Sequence, residues 1–179
     1  LYLLLSQKLM KTVLLLIFSL FLLSTTVSAA CTRPVYSKDV NSSLHFCGSN
    51  FFLKDGLTIS KNDVTIDCGS AVLQGFLWQK NIGVLIEDRN NVTLVDCRLV
   101  NYGAAILVKN STNIVLKEMT LLRNIIGLHI IDSMNVSIID SLDISLERPV
   151  RFSNSSNVVF RYNNKKIKGD FCRSNVCGK

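Results

Sequence analysis

The sequence predicts an all-β fold, a right-handed single-stranded parallel β-helix of about five coils. Three observations predict it. Asn91, Asn113, Asn135 and Asn157 are 22 residues apart, and each opens the same phrase: Asn91-Val92-Thr93-Leu94, Asn113-Ile114-Val115-Leu116, Asn135-Val136-Ser137-Ile138 and Asn157-Val158-Val159-Phe160. Within each copy apolar residues alternate with a period of two, and they are β-branched or aromatic, as strands require. Between the apolar runs stand Asn, Ser, Asp and Gly, which supply turns.

Residues 1–30 read as a signal peptide. Lys8 and Lys11 precede the apolar run Thr12 to Leu23, and the small residues of Val27-Ser28-Ala29-Ala30 follow. The run is shorter than the roughly 20 apolar residues of a membrane-spanning helix. No stable span is therefore expected after cleavage near Ala29 or Ala30. Met10 is the alternative start to Leu1. Ser28 stands where a lipid-attachment motif has Leu, so free secretion is expected over a lipoprotein.

Residues 31–55 read as an N-terminal cap segment, 56–163 as the parallel β-helix, and 164–179 as a basic tail with a cysteine loop. Inside the helix several columns keep the repeat. Val84, Ile106, Leu128 and Val150 align, as do Ile86, Val108, Ile130 and Phe152. Asp63-Val64-Thr65-Ile66 is an earlier, less regular copy, and the extra residues after it fall around Gln74 to Lys80 as an inserted loop. The third side is less regular: Cys97 and Leu99 match Met119 and Leu121, but then Ser141 and Asp143. One coil cannot bury its own apolar face, so stacked coils are needed to form a core. A leucine-rich repeat has a similar period. Here, however, a further strand pattern follows each Asn, and Leu does not dominate.

The phrases Asn62 to Gly75, Asn91 to Ser111 and Asn113 to Ser133 resemble the right-handed β-helix repeats of the carbohydrate-binding and sugar-hydrolase group, which includes NosD-type periplasmic proteins. The resemblance covers about residues 56 to 163. It implies the fold and a carbohydrate-related role. The motif describes coil geometry rather than chemistry.

All six cysteines follow the signal segment, which in an exported chain points to disulfides. The expected bridges are Cys31–Cys47 and Cys172–Cys177, with Cys68 and Cys97 paired or buried as thiols. There is no C-x-x-C motif and the chain has only two histidines, His45 and His129, so no metal and no cofactor are expected. The 20 basic residues outnumber the 13 acidic ones. The excess lies largely in the tail, and no nucleic-acid motif accompanies it.

No catalytic constellation stands out. His129 sits between apolar Leu128 and Ile130 and should point outward. Asp96, Glu118 and Asp140 repeat at the coil spacing and form an acidic column, a candidate cation or sugar contact. A second polar column, Asp88, Asn110, Asp132 and Asn154, marks a turn. The column Asn91, Asn113, Asn135 and Asn157 is expected to face inward as a buried structural ladder. Five Asn-x-Ser/Thr triplets begin at Asn41, Asn91, Asn110, Asn135 and Asn154. With Asn91 and Asn135 inside, Asn110 and Asn154 are the glycosylation candidates. Phe76, Trp78 and Tyr102 are candidate sugar-stacking aromatics.

The expected function is that of a secreted module of the cell surface or periplasm. It would bind an extracellular or envelope polysaccharide without catalysis, or serve a structural role. A small polysaccharide lyase or glycoside hydrolase is the enzymatic alternative, and a NosD-like periplasmic accessory protein is a third.

Overall fold

The structure is a computed structural model that describes residues 31, 39–76, 81–162 and 165–166. The predicted signal segment and the tail cysteines Cys172 and Cys177 lie outside the described residues. Every regular element among the described residues is a strand. The first coil holds β1 (Asp39–Val40), β2 (Leu44–His45) and β3 (Asn50–Phe52), and the second β4 (Leu57–Ile59), β5 (Val64–Asp67) and β6 (Val72–Gln74). The third holds β7 (Ile82–Glu87), β8 (Asn90–Val95) and β9 (Arg98–Val100). The fourth holds β10 (Ala104–Lys109), β11 (Thr112–Lys117) and β12 (Thr120–Leu122). The fifth holds β13 (Ile126–Ile131), β14 (Met134–Ile139) and β15 (Leu142–Ile144). A partial sixth adds β16 (Arg148–Ser153) and β17 (Ser156–Tyr162), and β18 (Lys165–Lys166) turns back against β17.

Equivalent strands stack into three sheets: β1-β4-β7-β10-β13-β16, β2-β5-β8-β11-β14-β17-β18, and β3-β6-β9-β12-β15. All pairs are parallel except β17 with β18. The predicted columns are in register, Val84 with Ile106 with Leu128 and Val92 with Ile114 with Val136. Their side chains fill the interior, where Ile106, Ile114 and Leu116 are buried. Truncating such a residue to Ala removes about 2–5 kcal/mol. The stack begins earlier than the repeat does. Asp39–Phe52 forms a full first coil, which corrects the reading of residues 31–55 as a cap.

Cys31 and Cys47 are bridged with Cα atoms 5.2 Å apart, and Cys68 and Cys97 with Cα atoms 4.8 Å apart. The second bridge joins the second coil to the third. Both of its cysteines are buried, so the two readings offered for this pair resolve to a disulfide.

The asparagine column is corrected. Asn91, Asn113, Asn135 and Asn157 are exposed, not internal. Their backbones take left-handed φ values of 57°, 56°, 56° and 51°. Asn tolerates this conformation better than other residues that carry a Cβ. The side chains then point out while Val92, Ile114 and Val136 beside them point in. The column still makes a ladder, but between side chains on successive coils. Asn135 Nδ2 donates to Asn113 Oδ1 at 3.1 Å and Asn157 Nδ2 to Asn135 Oδ1 at 2.6 Å.

The buried polar ladder is made of serine. Ser111 and Ser133 are almost wholly buried. The N–H of Arg89 donates to Ser111 Oγ, that of Ser111 to Ser133 Oγ, and that of Ser133 to Ser155 Oγ, each at 3.1 Å. Each hydroxyl donates to a carbonyl two residues back in its own coil: Ser111 to Lys109, Ser133 to Ile131 and Ser155 to Ser153. The corner between the first two sheets is thereby hydrogen-bonded from within.

Candidate functional surface

The third sheet differs from the other two in what it shows to solvent. Its register places Phe51, Leu73, Leu99, Leu121 and Asp143 in one inward column. The outward columns are Asn50, Val72, Arg98, Thr120, Leu142 and Phe52, Gln74, Val100, Leu122, Ile144. Arg98 is the one ionisable residue in them. Large apolar side chains are exposed at both ends of this face: Phe52 at 57% and Phe76 at 44% near the first coils, Leu142 at 54% and Ile144 at 57% on the fifth. Leu146, just past β15, is exposed too. These exposed apolar side chains make this face the candidate surface for a contact.

Phe52 and Phe76 form a pair, with ring centroids 4.7 Å apart and planes at 85°. The edge-to-face arrangement holds the Phe52 ring, at the end of β3, against Phe76, just past β6. Phe76 is thus exposed as expected. Trp78 lies outside the described residues. Phe52 belongs to the segment read as a cap, and the unbroken apolar run Phe51-Phe52-Leu53 carries no period of two to mark it as a strand.

Tyr102 is corrected. It is fully buried at the corner between the third and first sheets. Its hydroxyl donates to the Leu53 carbonyl at 3.1 Å, and its N–H donates to Asn124 Oδ1 at 2.9 Å. Asn124, also buried, returns Nδ2 to the Leu99 carbonyl at 3.1 Å. Burial pushes the phenol well above its ordinary range. A Cβ at Gly75 would come within 2.3 Å of the Tyr102 ring, so glycine is what lets the chain pass over it. Tyr102 packs beneath Gly75 and offers no face to a ligand.

The acidic column occupies the corner between the second and third sheets. Asp96, Glu118 and Asp140 have left-handed φ values of 50°, 55° and 47°. Asp96 Oδ2 accepts from Ser70 Oγ at 2.7 Å, and Glu118 pairs with Lys117 at 3.2 Å. Among the described residues no three His, Cys, Asp or Glu side chains are grouped so as to hold a metal ion. His129 lies on the outer face of the first sheet, half-buried, between Leu107 and Arg151 in register. Burial, and then the Arg151 charge, lower its pKa.

Asp143 is the functional-looking residue that sequence reasoning passed over. It takes the inward place that Leu99 and Leu121 hold in earlier coils. Burial pushes its carboxyl up to about 6, against the opposing hydrogen bonds of Ser145. Its Oδ2 is buried with no hydrogen-bond partner among the described residues and rests over Gly127, where a Cβ would come within 1.6 Å of it.

No family model matches the chain, and no curated protein matches it. Among solved structures it is similar to the crystal structure of "a putative glycosyl hydrolase from Parabacteroides merdae ATCC 43184". The TM-score is 0.51 at 13% identity, over 68% of this chain and 81% of that one. At that identity the likeness is one of fold: the chain is a parallel β-solenoid.

Proposed function

We propose that this β-solenoid binds an extracellular or envelope polysaccharide without catalysis, on the outer face of its third sheet. The Phe52–Phe76 pair carries the reading. Two exposed rings offer area and C–H contacts to a sugar face, and Arg98, Asn50 and Gln74 add polar groups on the same sheet. The two disulfides fit an exported protein. A glycoside hydrolase is the second reading, favoured by the likeness to a glycosyl hydrolase fold. It would use Asp96, Glu118 and Asp140, which repeat at the coil spacing of roughly 4.8 Å. Carboxyls about 5–5.5 Å apart serve retaining hydrolysis. Sedimentation of the purified chain with insoluble polysaccharides, with released reducing sugar measured on the same samples, separates the two. Binding without product supports the first reading, and product formation overturns it.

A further inference from the structure

All five Asn-x-Ser/Thr triplets lie on one edge of the solenoid, the junction of the first and second sheets. Asn41 falls between β1 and β2, Asn110 between β10 and β11, and Asn154 between β16 and β17. Asn91 and Asn135 stand at the starts of β8 and β14. All five are exposed. The described asparagines elsewhere in the fold (Asn50, Asn81, Asn101 and Asn124) begin no such triplet.

The triplets are also staggered. In the column Asp88, Asn110, Asp132, Asn154 only alternate coils carry an Asn. In the column Asn91, Asn113, Asn135, Asn157 all four are Asn, but Asn113 and Asn157 are followed two residues on by Val115 and Val159. The third through sixth coils therefore carry one acceptor each. Acceptors within a column stand two coils apart, roughly 10 Å, which gives a branched sugar room that adjacent coils would deny.

We propose that Asn41, Asn91, Asn110, Asn135 and Asn154 are N-glycosylated, and that this edge is the glycan-bearing side of the molecule. The donor class is an oligosaccharide carried on a lipid pyrophosphate. A bond forms between Asn Nδ2 and the sugar C1, the C1–O bond to pyrophosphate breaks, the lipid pyrophosphate leaves, and one amide hydrogen is lost as a proton. The ladder tolerates this. Asn91 Nδ2 donates one hydrogen to Asp63 Oδ1 at 2.7 Å, Asn135 Nδ2 one to Asn113 Oδ1, and Asn154 Nδ2 one to Asp132 Oδ1 at 2.7 Å. A primary amide has a second hydrogen to exchange. A whole strand of the first or second sheet separates every acceptor from the third sheet, whose outer face stays unshielded.

The test is export of the full chain from a cell with asparagine-glycosylating machinery. Enzymatic deglycosylation in ¹⁸O water then marks each occupied Asn, and disulfide mapping of the same sample reports passage through the oxidising compartment. Label at sites in both columns is expected. Ser137→Ala and Ser156→Ala keep Asn135 and Asn154 with their ladder bonds and should each remove one glycan, with an unchanged melting temperature. A disulfide-bonded chain without label overturns the proposal, as does a glycan count unchanged by these two substitutions.

Discussion

The backbone N–H of Ser111 donates to the hydroxyl of Ser133, one coil further along, at 3.1 Å. Ser133 in turn donates to the Ile131 carbonyl at 2.7 Å. The buried Ser111 N–H thus depends on that hydroxyl, whereas the Ile131 carbonyl also accepts from the Asn110 N–H at 3.1 Å. Ser133→Ala leaves the Ser111 N–H without its acceptor, and the expected loss is about 1–3 kcal/mol. Asn135→Gly, on the exposed ladder a few residues away, keeps the left-handed backbone without strain and should cost less than about 1 kcal/mol in side-chain hydrogen bonding. Urea unfolding of the two variants checks the order.

Tyr102→Phe removes one of two donors to the Leu53 carbonyl, which also accepts from the Gly56 N–H at 3.1 Å. Stability should fall by about 0.5–1.5 kcal/mol while polysaccharide sedimentation stays unchanged, because the Tyr102 ring is buried. Lost binding in a stably folded variant would return it to the contact surface.

Asp143 gives the fold a pH dependence of known sign. Its folded pKa, about 6, lies above the ordinary 3.8. The folded state therefore holds the proton more tightly than the unfolded state. Asp143 stabilises most below pH 4, and that contribution is lost as pH rises to about 6. Asp143→Asn should flatten the melting temperature across this window relative to the unmodified chain. Parallel pH profiles of the two would contradict the burial of Asp143.

The Cys68–Cys97 bridge closes a loop with a sequence separation of 29. Loop-closure entropy gives it a contribution of about 3–4 kcal/mol. Replacing both cysteines by Ala should lower the unfolding midpoint accordingly, and more than any single ladder substitution does. An unchanged midpoint would show that stacking alone holds the second and third coils together.

The fold was legible because coil geometry repeats in sequence: every 22 residues the same side chain meets its counterpart. The first coil lacks the Asn phrase, and its run Phe51-Phe52-Leu53 shows no period of two, so the segment reads as a cap. The asparagine column was placed on the wrong side because a repeat fixes register, not facing. The signal for facing was present in Val92, Ile114 and Val136, which must point inward and so turn their neighbours out. Ser111, Ser133 and Ser155 hold the same period and do face in. The contact surface was less legible. Phe52 and Phe76 are brought together by the stacking of β3 on β6, a relation that no local window contains. Tyr102, Asn124 and Leu146 share a column, yet their burial falls from complete to exposed as the third sheet ends.

Paired sedimentation assays test most directly whether the outer face of the third sheet holds a polysaccharide. Phe52→Ala combined with Phe76→Ala should lower affinity for the bound polysaccharide at least tenfold, about 1.4 kcal/mol. Asp96→Asn combined with Glu118→Gln should leave it within twofold, since that column lies at the other end of the third-sheet strands. Retained binding in the phenylalanine variant, with binding lost in the amide variant, would contradict the account and move the functional surface to the acidic corner.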